Sequence, residues 1–405
     1  MRKSVLLFFL FACVAIALRN PDWWVHPQFV AEDGKVFFAQ QLVLGPAAIF
    51  IPLNGYLHLL PRVIALLASS FPVIYQPPIF QIAGVLIAAL CATFFTLPEC
   101  RFVLASDHLR LAVSALVILN CNGEDLFANL AAVQVFLVPV GLILLLENRS
   151  GFFRAGLIAL IALTAPALML FLPLAVWRYV RHRNLTAGVY MLCAAIQIGL
   201  ILTHPQQAAH PPHPFWLPFA AVLESWVYRV LGTVFVGVDW ALFAGAHGGL
   251  VLSTSVAVIV LLALIWLRFR RPVNDTFWIS MLLGPALIFE ACLARPELLD
   301  LFPDLNHFTL GGGARYFFLP CCLIFVAVAT VIARIGRRWP PLLQTVSLLL
   351  LFLVGIYDNY PIPKYRDLHW PEAAKKIESW KLHRDGALRV RIQPSKNALW
   401  LIGLP

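Results

Sequence analysis

Long apolar runs alternate with short polar turns along most of this chain. The runs fall at residues 4–18, 79–97, 111–120, 126–147, 155–177, 185–203, 248–267, 275–293, 315–333 and 341–357. Although uneven in length, they are candidates to cross a hydrocarbon core of about 30 Å. A helix satisfies its own backbone hydrogen bonds in lipid. The pattern therefore predicts an all-α polytopic membrane protein.

The basic residues indicate the orientation of the chain, because positively charged turns are retained on the cytoplasmic side. If Arg2 and Lys3 are inside, later basic turns should fall on alternate loops. They largely do, at 101–110, 149–154, 178–183, 268–271 and 334–338. No small-residue cleavage site follows this run, because Arg19-Asn-Pro-Asp-Trp-Trp comes next, so the first run is predicted to remain as an uncleaved helix.

The run 155–177 departs from this alternation because it has basic residues at both ends. Pro166, at its centre, removes a helix hydrogen bond and disfavours helical geometry in the residue before it. We therefore predict two half-helices that meet at Pro166 and that start and finish in the cytoplasm. One kinked span, with another span misassigned elsewhere, is the alternative.

The segment 55–72 is apolar but carries His58 and Arg62 one helical turn apart on one face. It is predicted to lie at the outer interface. The transmembrane domain, residues 1–357, then has about nine full crossings plus the hairpin. Residues 358–405 form a small polar appendage on the outer face. Because this appendage is rich in lysine and arginine, a miscount of one crossing would place it inside.

Composition narrows the partners and the location of any chemistry. Hydrophobic residues make up 61% of the chain and charged residues 12%. The net charge of +10 does not indicate a nucleic-acid partner, because half of the thirty lysines and arginines lie in the basic turns. Charges near membrane lipid are costly and often functional. Candidate chemistry is therefore expected in the outer-face regions 19–54, 120–129, 204–247 and 294–314.

Two acidic pairs occupy these regions, Glu32-Asp33 and Glu124-Asp125. A carboxylate can accept a proton from a reacting hydroxyl. For the first pair, the alternative is a pair of solvated loop acids. The second pair has oxygen ligands suited to a divalent metal or to acceptor hydroxyls. Capping of the helix that follows explains the second pair almost as well.

Three basic side chains, His58, Arg62 and Arg315, are candidates to hold an anionic phosphate. Arg315 follows a run of three glycines and precedes Tyr316 at the predicted outer end of a helix. A guanidinium binds phosphate oxygens in pairs. For both arginines, the alternative is a helix-end side chain that extends to the interface.

Three strings carry a resemblance to a known family: Pro27-Gln-Phe-Val-Ala-Glu-Asp-Gly-Lys-Val-Phe-Phe38, Asn54-Gly-Tyr-Leu-His-Leu-Leu-Pro-Arg62 and Gly313-Ala-Arg-Tyr-Phe-Phe-Leu-Pro320. They are similar to strings in bacterial GT-C-like membrane proteins of largely unassigned substrate. The layout of residues 1–180 also resembles the GT-C superfamily of polyprenyl-phosphate-sugar glycosyltransferases. It has a first helix, an acidic outer loop, an interfacial helix, a basic turn and a second acidic loop.

The resemblance implies a GT-C-like helical bundle that transfers a sugar from a polyprenyl-phosphate donor to an envelope glycan, lipid or protein acceptor. Its site would face outward from a bacterial cytoplasmic membrane. No cofactor is required, and dependence on a divalent metal varies across the superfamily. The large soluble C-terminal domain of well-described members is lacking here, which leaves acceptor recognition open.

Glu32 or Asp33 would supply the catalytic carboxylate. Adjacent helical side chains point about 100° apart, so the two acids are not expected to share one role. We expect Asp33 to be the general base and Glu32 to orient substrate or a basic partner. The residues expected to bind substrate or phosphate are Arg62, His58, Arg315, Tyr316, Glu124 and Asp125.

A membrane transporter or a flippase for lipid-linked glycans is the main alternative function. No internal repeat supports it, and the acidic pairs gather on one face instead of along a midplane path. An O-antigen ligase or polymerase and a structural membrane subunit are further alternatives.

Overall fold

The computed structural model describes residues 2–120, 126–147, 149, 151–204, 214–270, 275–294, 315–359, 366–383, 386–393 and 401–405. These residues are mostly helical, as predicted. Two short strands, Leu388–Arg391 and Leu401–Leu404, pair in an antiparallel sheet near the C-terminus.

The α-helices are Arg2–Arg19, Asp22–Val25, Ala39–Leu44, Leu59–Ala68, Gln76–Phe94, Asp107–Ile118, Val133–Leu146, Phe152–Ala162, Leu172–His182, Leu185–Thr203, Leu217–Glu224, Thr233–Val236, Val238–Arg270, Asp275–Ala294, Arg315–Ile335, Pro341–Leu351, Leu353–Asn359 and Trp370–His383. Short 3-10 helices lie at Gly45–Phe50, Val73–Tyr75, Pro98–Phe102, Leu130–Ala132 and Pro166–Phe171. Two segments, Asp33–Phe38 and Ser225–Gly232, are π-helical. π-helical turns are rare and frequently mark functional sites.

Six helical stretches in the described part of the chain are long and apolar enough to cross a membrane. They are Val73–Phe94, Leu185–Thr203, Leu217–Val236, Val238–Leu264, Asp275–Leu293 and Arg315–Ile335. The protein is thus an all-α, multi-pass membrane protein. The count of nine crossings remains a prediction, because other apolar helices are shorter, including Leu130–Leu146 and Pro341–Leu351.

One of the six stretches, Leu217–Val236, lies within the region 204–247 that was predicted as an outer-face loop. The stretch is helical, and its placement on the outer face remains a prediction. Pro218 at the first helical turn is compatible with a helix start. Buried side chains such as Trp226 and Val230 then pack in a hydrophobic core. Burial of these apolar side chains therefore stabilises the helix.

The run 155–177 is broken where the sequence predicted a break. The helices Phe152–Ala162 and Leu172–His182 each have 11 residues. A 3-10 helix, Pro166–Phe171, joins them after residues 163–165. Each α-helix is about 16 Å long at 1.5 Å per residue, shorter than a hydrocarbon core of about 30 Å. Their placement as a hairpin that returns to the cytoplasm remains a prediction.

The chain divides into two compact units. Unit 1 comprises Met1–Ala15, Leu90–Asp125 and Ala208–Pro361, and unit 2 comprises Ile16–Ala89, Leu126–Gln207 and Ile362–Pro405. The domain boundary at residue 357 remains a prediction. The C-terminal residues belong to unit 2 together with the first predicted outer loop. They are therefore part of a packed unit.

In unit 1, the helix Arg315–Ile335 packs against Asp275–Ala294. Arg110, in the same unit, is a buried arginine that is 1% exposed. Its guanidinium donates to the carbonyl oxygens of Leu104 at 2.6 Å and Ala105 at 3.1 Å, and to Oδ1 of Asp107 at 2.5 Å. Arg110 thus connects the helix that carries it to the residues just before that helix in unit 1.

In unit 2, an aromatic cluster surrounds Phe29, which is 1% exposed. Its ring centroid lies 4.7 Å from that of Phe38, 5.1 Å from that of Phe80 and 5.0 Å from that of Trp370. Aromatic pairs at such separations stabilise beyond simple area burial. The cluster joins the first loop, the helix Gln76–Phe94 and the C-terminal segment into one core.

Candidate functional site

Asp33 lies at the start of the π-helical turn Asp33–Phe38 and is 3% exposed. Its Oδ2 accepts the backbone N–H of Leu130, and its Oδ1 accepts that of Ala131, both at 2.9 Å. These N–H groups open the helical stretch Leu130–Leu146. The first N–H groups of a helix have no intrahelical partners and favour negative charge. Asp33 is therefore held at a helix N-terminus.

Burial raises the pKa of Asp33 to about 7. The hydrogen bonds from Leu130 and Ala131 act in the opposite direction, because they favour the charged form. The Glu32 carboxylate adds a further upward contribution. A carboxyl group with a pKa near the working pH suits general acid–base chemistry. Each oxygen also keeps a second lone pair beside the one used by the backbone, so Asp33 can still accept a proton.

The backbone around Asp33 is tightly constrained. Ala31 has a φ of +46°, in the left-handed region that non-glycine residues rarely adopt. At Gly34, a Cβ atom would lie 2.7 Å from Cβ of Phe29 and 2.9 Å from Cδ1 of Ile392. No larger residue fits there without movement of these neighbours. Strained backbone persists only where the surrounding structure enforces it, often at functional sites.

Arg62 lies in the helix Leu59–Ala68 and is 1% exposed. Its Cζ is 5.4 Å from the ring centroid of Phe37, four residues after Asp33. Within the residues that the structure describes, none of its three guanidinium nitrogens has a hydrogen-bond partner. Burial lowers the pKa of Arg62 to about 10, so the group stays charged at neutral pH. A buried, uncompensated charge is strongly unfavourable, which indicates a place for an anionic ligand.

His58 precedes this helix and is 3% exposed. Its ring centroid lies 5.6 Å from that of Phe37 and 4.5 Å from that of Tyr56. The backbone N–H of Arg62 donates to the His58 carbonyl at 3.2 Å. His58 and Arg62 thus both lie beside Phe37, with His58 at the N-cap and Arg62 inside the helix.

The start of the helix Leu59–Ala68 docks on the break between the two half-helices. The N–H of Leu59 donates to the Leu163 carbonyl at 3.1 Å. The N–H of Leu60 donates to Oγ1 of Thr164 at 3.0 Å. These acceptors satisfy N–H groups that lack intrahelical partners. The break before Pro166 therefore positions the helix that carries Arg62.

The two acids of the first pair occupy different environments. Glu32 is half-buried, whereas Asp33 is buried and bonded to a helix N-terminus. The alternative of two solvated loop acids is wrong for Asp33. Ala31, two residues before Asp33, has a left-handed backbone conformation.

The other predicted site residues lie elsewhere in the chain. Arg315 begins the helix Arg315–Ile335, and its Cζ lies 5.4 Å from the ring centroid of Tyr316. Both residues belong to unit 1, whereas Asp33 and Arg62 belong to unit 2. A common role with Asp33 remains a prediction. Glu124 and Asp125 lie outside the described residues.

The groups that hold Asp33 were not predicted from the sequence. The predicted apolar run 126–147 becomes helical only at Leu130, after Ala128 with a φ of +59°. Asn129 is the N-cap, and its side chain accepts the N–H of Ala131 at 3.0 Å. An asparagine before an apolar helix is a usable N-cap signal. Asp33 accepts the N–H groups of Leu130 and Ala131. It lies 97 residues before Leu130, so no local pattern in the sequence indicates this contact.

No group of three or more His, Cys, Asp or Glu side chains is placed to hold a metal ion in the described ranges. The chain matches no protein-family model, no curated protein and no solved structure. Function is therefore inferred from the geometry around Asp33 and Arg62 and from the resemblance in the sequence.

Proposed function

We propose that the protein is a GT-C-type glycosyltransferase that moves a sugar from a polyprenyl-phosphate donor to a hydroxyl of an envelope glycan, lipid or protein. The observation that carries the proposal is the buried Arg62 guanidinium, which has no hydrogen-bond partner in the described chain and stacks on Phe37 of the turn that begins with Asp33. Arg62 is a cation suited to a phosphate, and Asp33 is a carboxylate suited to accept a proton. The two residues lie on segments that pack together in one unit.

The proposed reaction is a substitution at the anomeric carbon. The acceptor hydroxyl oxygen attacks this carbon and forms the new glycosidic bond. The bond between the carbon and the phosphate oxygen breaks, and its electron pair leaves with the polyprenyl phosphate. Asp33 takes the hydroxyl proton as the new bond forms. General-base catalysis of this kind contributes roughly 10²–10⁴-fold to a rate.

Arg62 is proposed to bind the phosphate, on which negative charge grows as the bond breaks. A charge placed in advance, in a site without water, stabilises such a transition state strongly. His58 is proposed to line the same place, since it packs on Phe37 beside Arg62. The further proposed ligands of the substrate are Glu32, Arg315, Tyr316, Glu124 and Asp125.

We place this reaction at the outer face of a bacterial cytoplasmic membrane, with about nine crossings and a half-helix hairpin in a GT-C-like arrangement. The basic turns support this orientation. Nucleotide sugars are normally confined to the cytoplasm, so an outward-facing transferase uses a lipid-linked donor. The acceptor would be a component of the envelope.

The direct test is incubation of the purified protein with radiolabelled polyprenyl-phosphate sugars and an envelope glycolipid fraction. Wild-type protein is expected to label the acceptor. Asp33→Asn keeps the shape of the side chain but removes the base, and should lower the transfer rate by about 10²–10⁴-fold. Glu32→Gln is the matched control and should have a smaller effect.

Undiminished transfer by Asp33→Asn would remove Asp33 from the base role. A second candidate function, a proton-coupled transporter or flippase, is favoured by one observation. A buried carboxyl with a pKa near 7 is suited to bind and release a proton during transport. Absence of transfer with every donor, together with proton-dependent substrate uptake into vesicles, would support transport instead.

A further inference from the structure

The C-terminal segment, described at residues 366–383, 386–393 and 401–405, is bonded to the loop that carries Asp33. The N–H of Gln393 donates to the Phe29 carbonyl at 3.2 Å, and the N–H of Ala31 donates to the Gln393 carbonyl at 2.6 Å. Val30 and Gln393 form a parallel bridge. The N–H of Asp33 in turn donates to the Val30 carbonyl at 3.1 Å. A continuous set of backbone hydrogen bonds therefore connects Gln393 to Asp33.

Side chains strengthen the same connection. Nε2 of Gln28 donates to the Arg366 carbonyl at 3.0 Å, and its Oε1 accepts the N–H of Leu368 at 3.1 Å. The ring of Trp370 meets that of Phe29 edge-on, with an interplanar angle of 89°. Gln28 and Trp370 are both buried. The loop is thus held by polar and aromatic contacts to residues more than 330 positions later in the chain.

A second group of contacts fixes the other side of the C-terminal segment. The N–H of Val73 donates to Oε1 of Glu378 at 2.8 Å. Nε1 of Trp370 donates to the Ile74 carbonyl at 3.3 Å. These contacts fasten the C-terminal helix Trp370–His383 at the start of the membrane-length helix Val73–Phe94. The segment thereby spans two fixed points of unit 2.

We infer that the C-terminal segment is a positioning element that holds the Asp33 carboxylate against the N–H groups of Leu130 and Ala131. Ala31, whose N–H bonds to Gln393, has the left-handed conformation that turns the chain toward Asp33. Such a conformation persists only when its surroundings enforce it. Gly34, the next residue after Asp33, would contact Ile392 if it carried a Cβ atom. The catalytic consequence rests on the proposed function, whereas the geometric role does not.

Hydrogen exchange at the amides of Leu130 and Ala131 tests this inference, since both donate to the Asp33 carboxylate. Leu130 is the more sensitive of the two, because the N–H of Ala131 also donates to Asn129. The variant Trp370→Leu removes the contacts to Phe29 and Ile74. It should raise exchange at these two amides by at least about tenfold. The matched control is Trp380→Leu, which alters a tryptophan of the same helix with similar burial. Nε1 of Trp380 donates to the Gly386 carbonyl, within the C-terminal segment.

Asp33→Ala defines the exchange expected when the carboxylate is absent. If Trp370→Leu does not fold, Gln28→Met decides the question, because it removes both hydrogen bonds to residues 366 and 368 at nearly constant volume. Unchanged exchange at Leu130 and Ala131 in the folded variant would overturn the inference. Equal increases across all of unit 2 in the Trp370 and Trp380 variants would also overturn it.

Transfer is measured on the same samples. Under the proposed function, Trp370→Leu should lower kcat at least about tenfold with a smaller change in KM, and Trp380→Leu should change neither. A wild-type protein without transfer, but with the expected exchange in Trp370→Leu, would contradict the proposed function and leave the positioning role in place. Transfer by the wild-type protein, with unchanged exchange in Trp370→Leu, would support the proposed function and overturn the positioning role.

Discussion

Arg110 in unit 1 and Arg62 in unit 2 are equally buried, each 1% exposed, but their surroundings differ. Arg110 donates to two backbone carbonyls and to Asp107, which Arg101 also binds. Arg62 stacks on one aromatic ring and has no hydrogen-bond partner in the chain as described. The first arginine completes the structure around it, whereas the second leaves a positive charge uncompensated.

The comparison shows why burial alone does not identify a functional charge. A buried charge with matched partners contributes little net stability but is costly to disrupt. A buried charge without partners lowers stability, and proteins keep such costs mainly where function requires them. Arg62 therefore points to a ligand, and Arg110 points to local architecture. Substitution of Arg62 should lower the transfer rate without lowering stability, whereas substitution of Arg110 should lower stability without lowering the transfer rate per folded molecule.

The largest expected effect is on transfer by Arg62→Met. Methionine fills a similar volume without a charge, so the phosphate loses its proposed cation. The transfer rate should fall about 10²–10³-fold, as when one transition-state donor is removed. The free energy of unfolding should not fall, and should rise by about 1 kcal/mol or more because an uncompensated charge has been removed. Rate assays and thermal unfolding in the same detergent measure both quantities.

Arg62→Lys is the control that retains the charge but not the paired geometry of a guanidinium. It should recover part of the lost rate. Full transfer by Arg62→Met would exclude the phosphate role. A marked loss of stability in that variant would instead show that Arg62 is a structural tie like Arg110, and the contrast between the two regions would disappear.

The second-largest expected effect is a loss of stability in the variant Arg110→Met. The carbonyls of Leu104 and Ala105 would lose their guanidinium donor, while Asp107 would keep Arg101. A buried acceptor left without a partner costs about 1–3 kcal/mol, so the free energy of unfolding should fall by about 2–3 kcal/mol. Transfer per folded molecule should stay near wild type. A larger loss of transfer than of folded protein would contradict the structural assignment of Arg110.

The sequence was sufficient for features that depend on local patterns. Apolar run length identified the helical membrane class, and Pro166 predicted the break in the run 155–177. A helix that carries Arg62 was also predicted, although His58 lies at its N-cap and not on its face. In each case the physical cause lies within a few residues of the chain: helix period, proline geometry or the cost of charge near lipid.

The remaining features depend on contacts between distant parts of the chain. The partners of Asp33 are the N–H groups of Leu130 and Ala131, and Gln393 fixes the loop before it. The C-terminal residues were predicted as an appendage because their composition is polar. Backbone hydrogen bonds and the ring of Trp370 nevertheless join them to the first loop, and neither contact leaves a periodic signal in the sequence.

The smallest expected effect is the pH dependence of stability, which separates Asp33 from Asp107. The pKa of Asp33 in the folded protein is about 7, above the value of about 3.9 expected in an unfolded chain. The folded state therefore binds the proton more tightly. The stabilisation that the protonated Asp33 gives the folded state is complete below about pH 4 and is lost as the pH rises through 7. The expected slope reaches about 1.4 kcal/mol per pH unit at most.

Hydrogen bonds from Arg101 and Arg110 lower the pKa of Asp107. A lowered pKa gives stability that is present above the unfolded value and is lost only in more acidic solution, so Asp107 should contribute no slope between pH 5 and 8. Thermal unfolding across this range should show stability falling with pH in the wild type and in Asp107→Asn, and a flatter profile in Asp33→Asn. Equal slopes in all three proteins would show that Asp33 does not carry a raised pKa. The proton-accepting role would then lose its electrostatic basis, while the uncompensated charge of Arg62 would still distinguish the two regions.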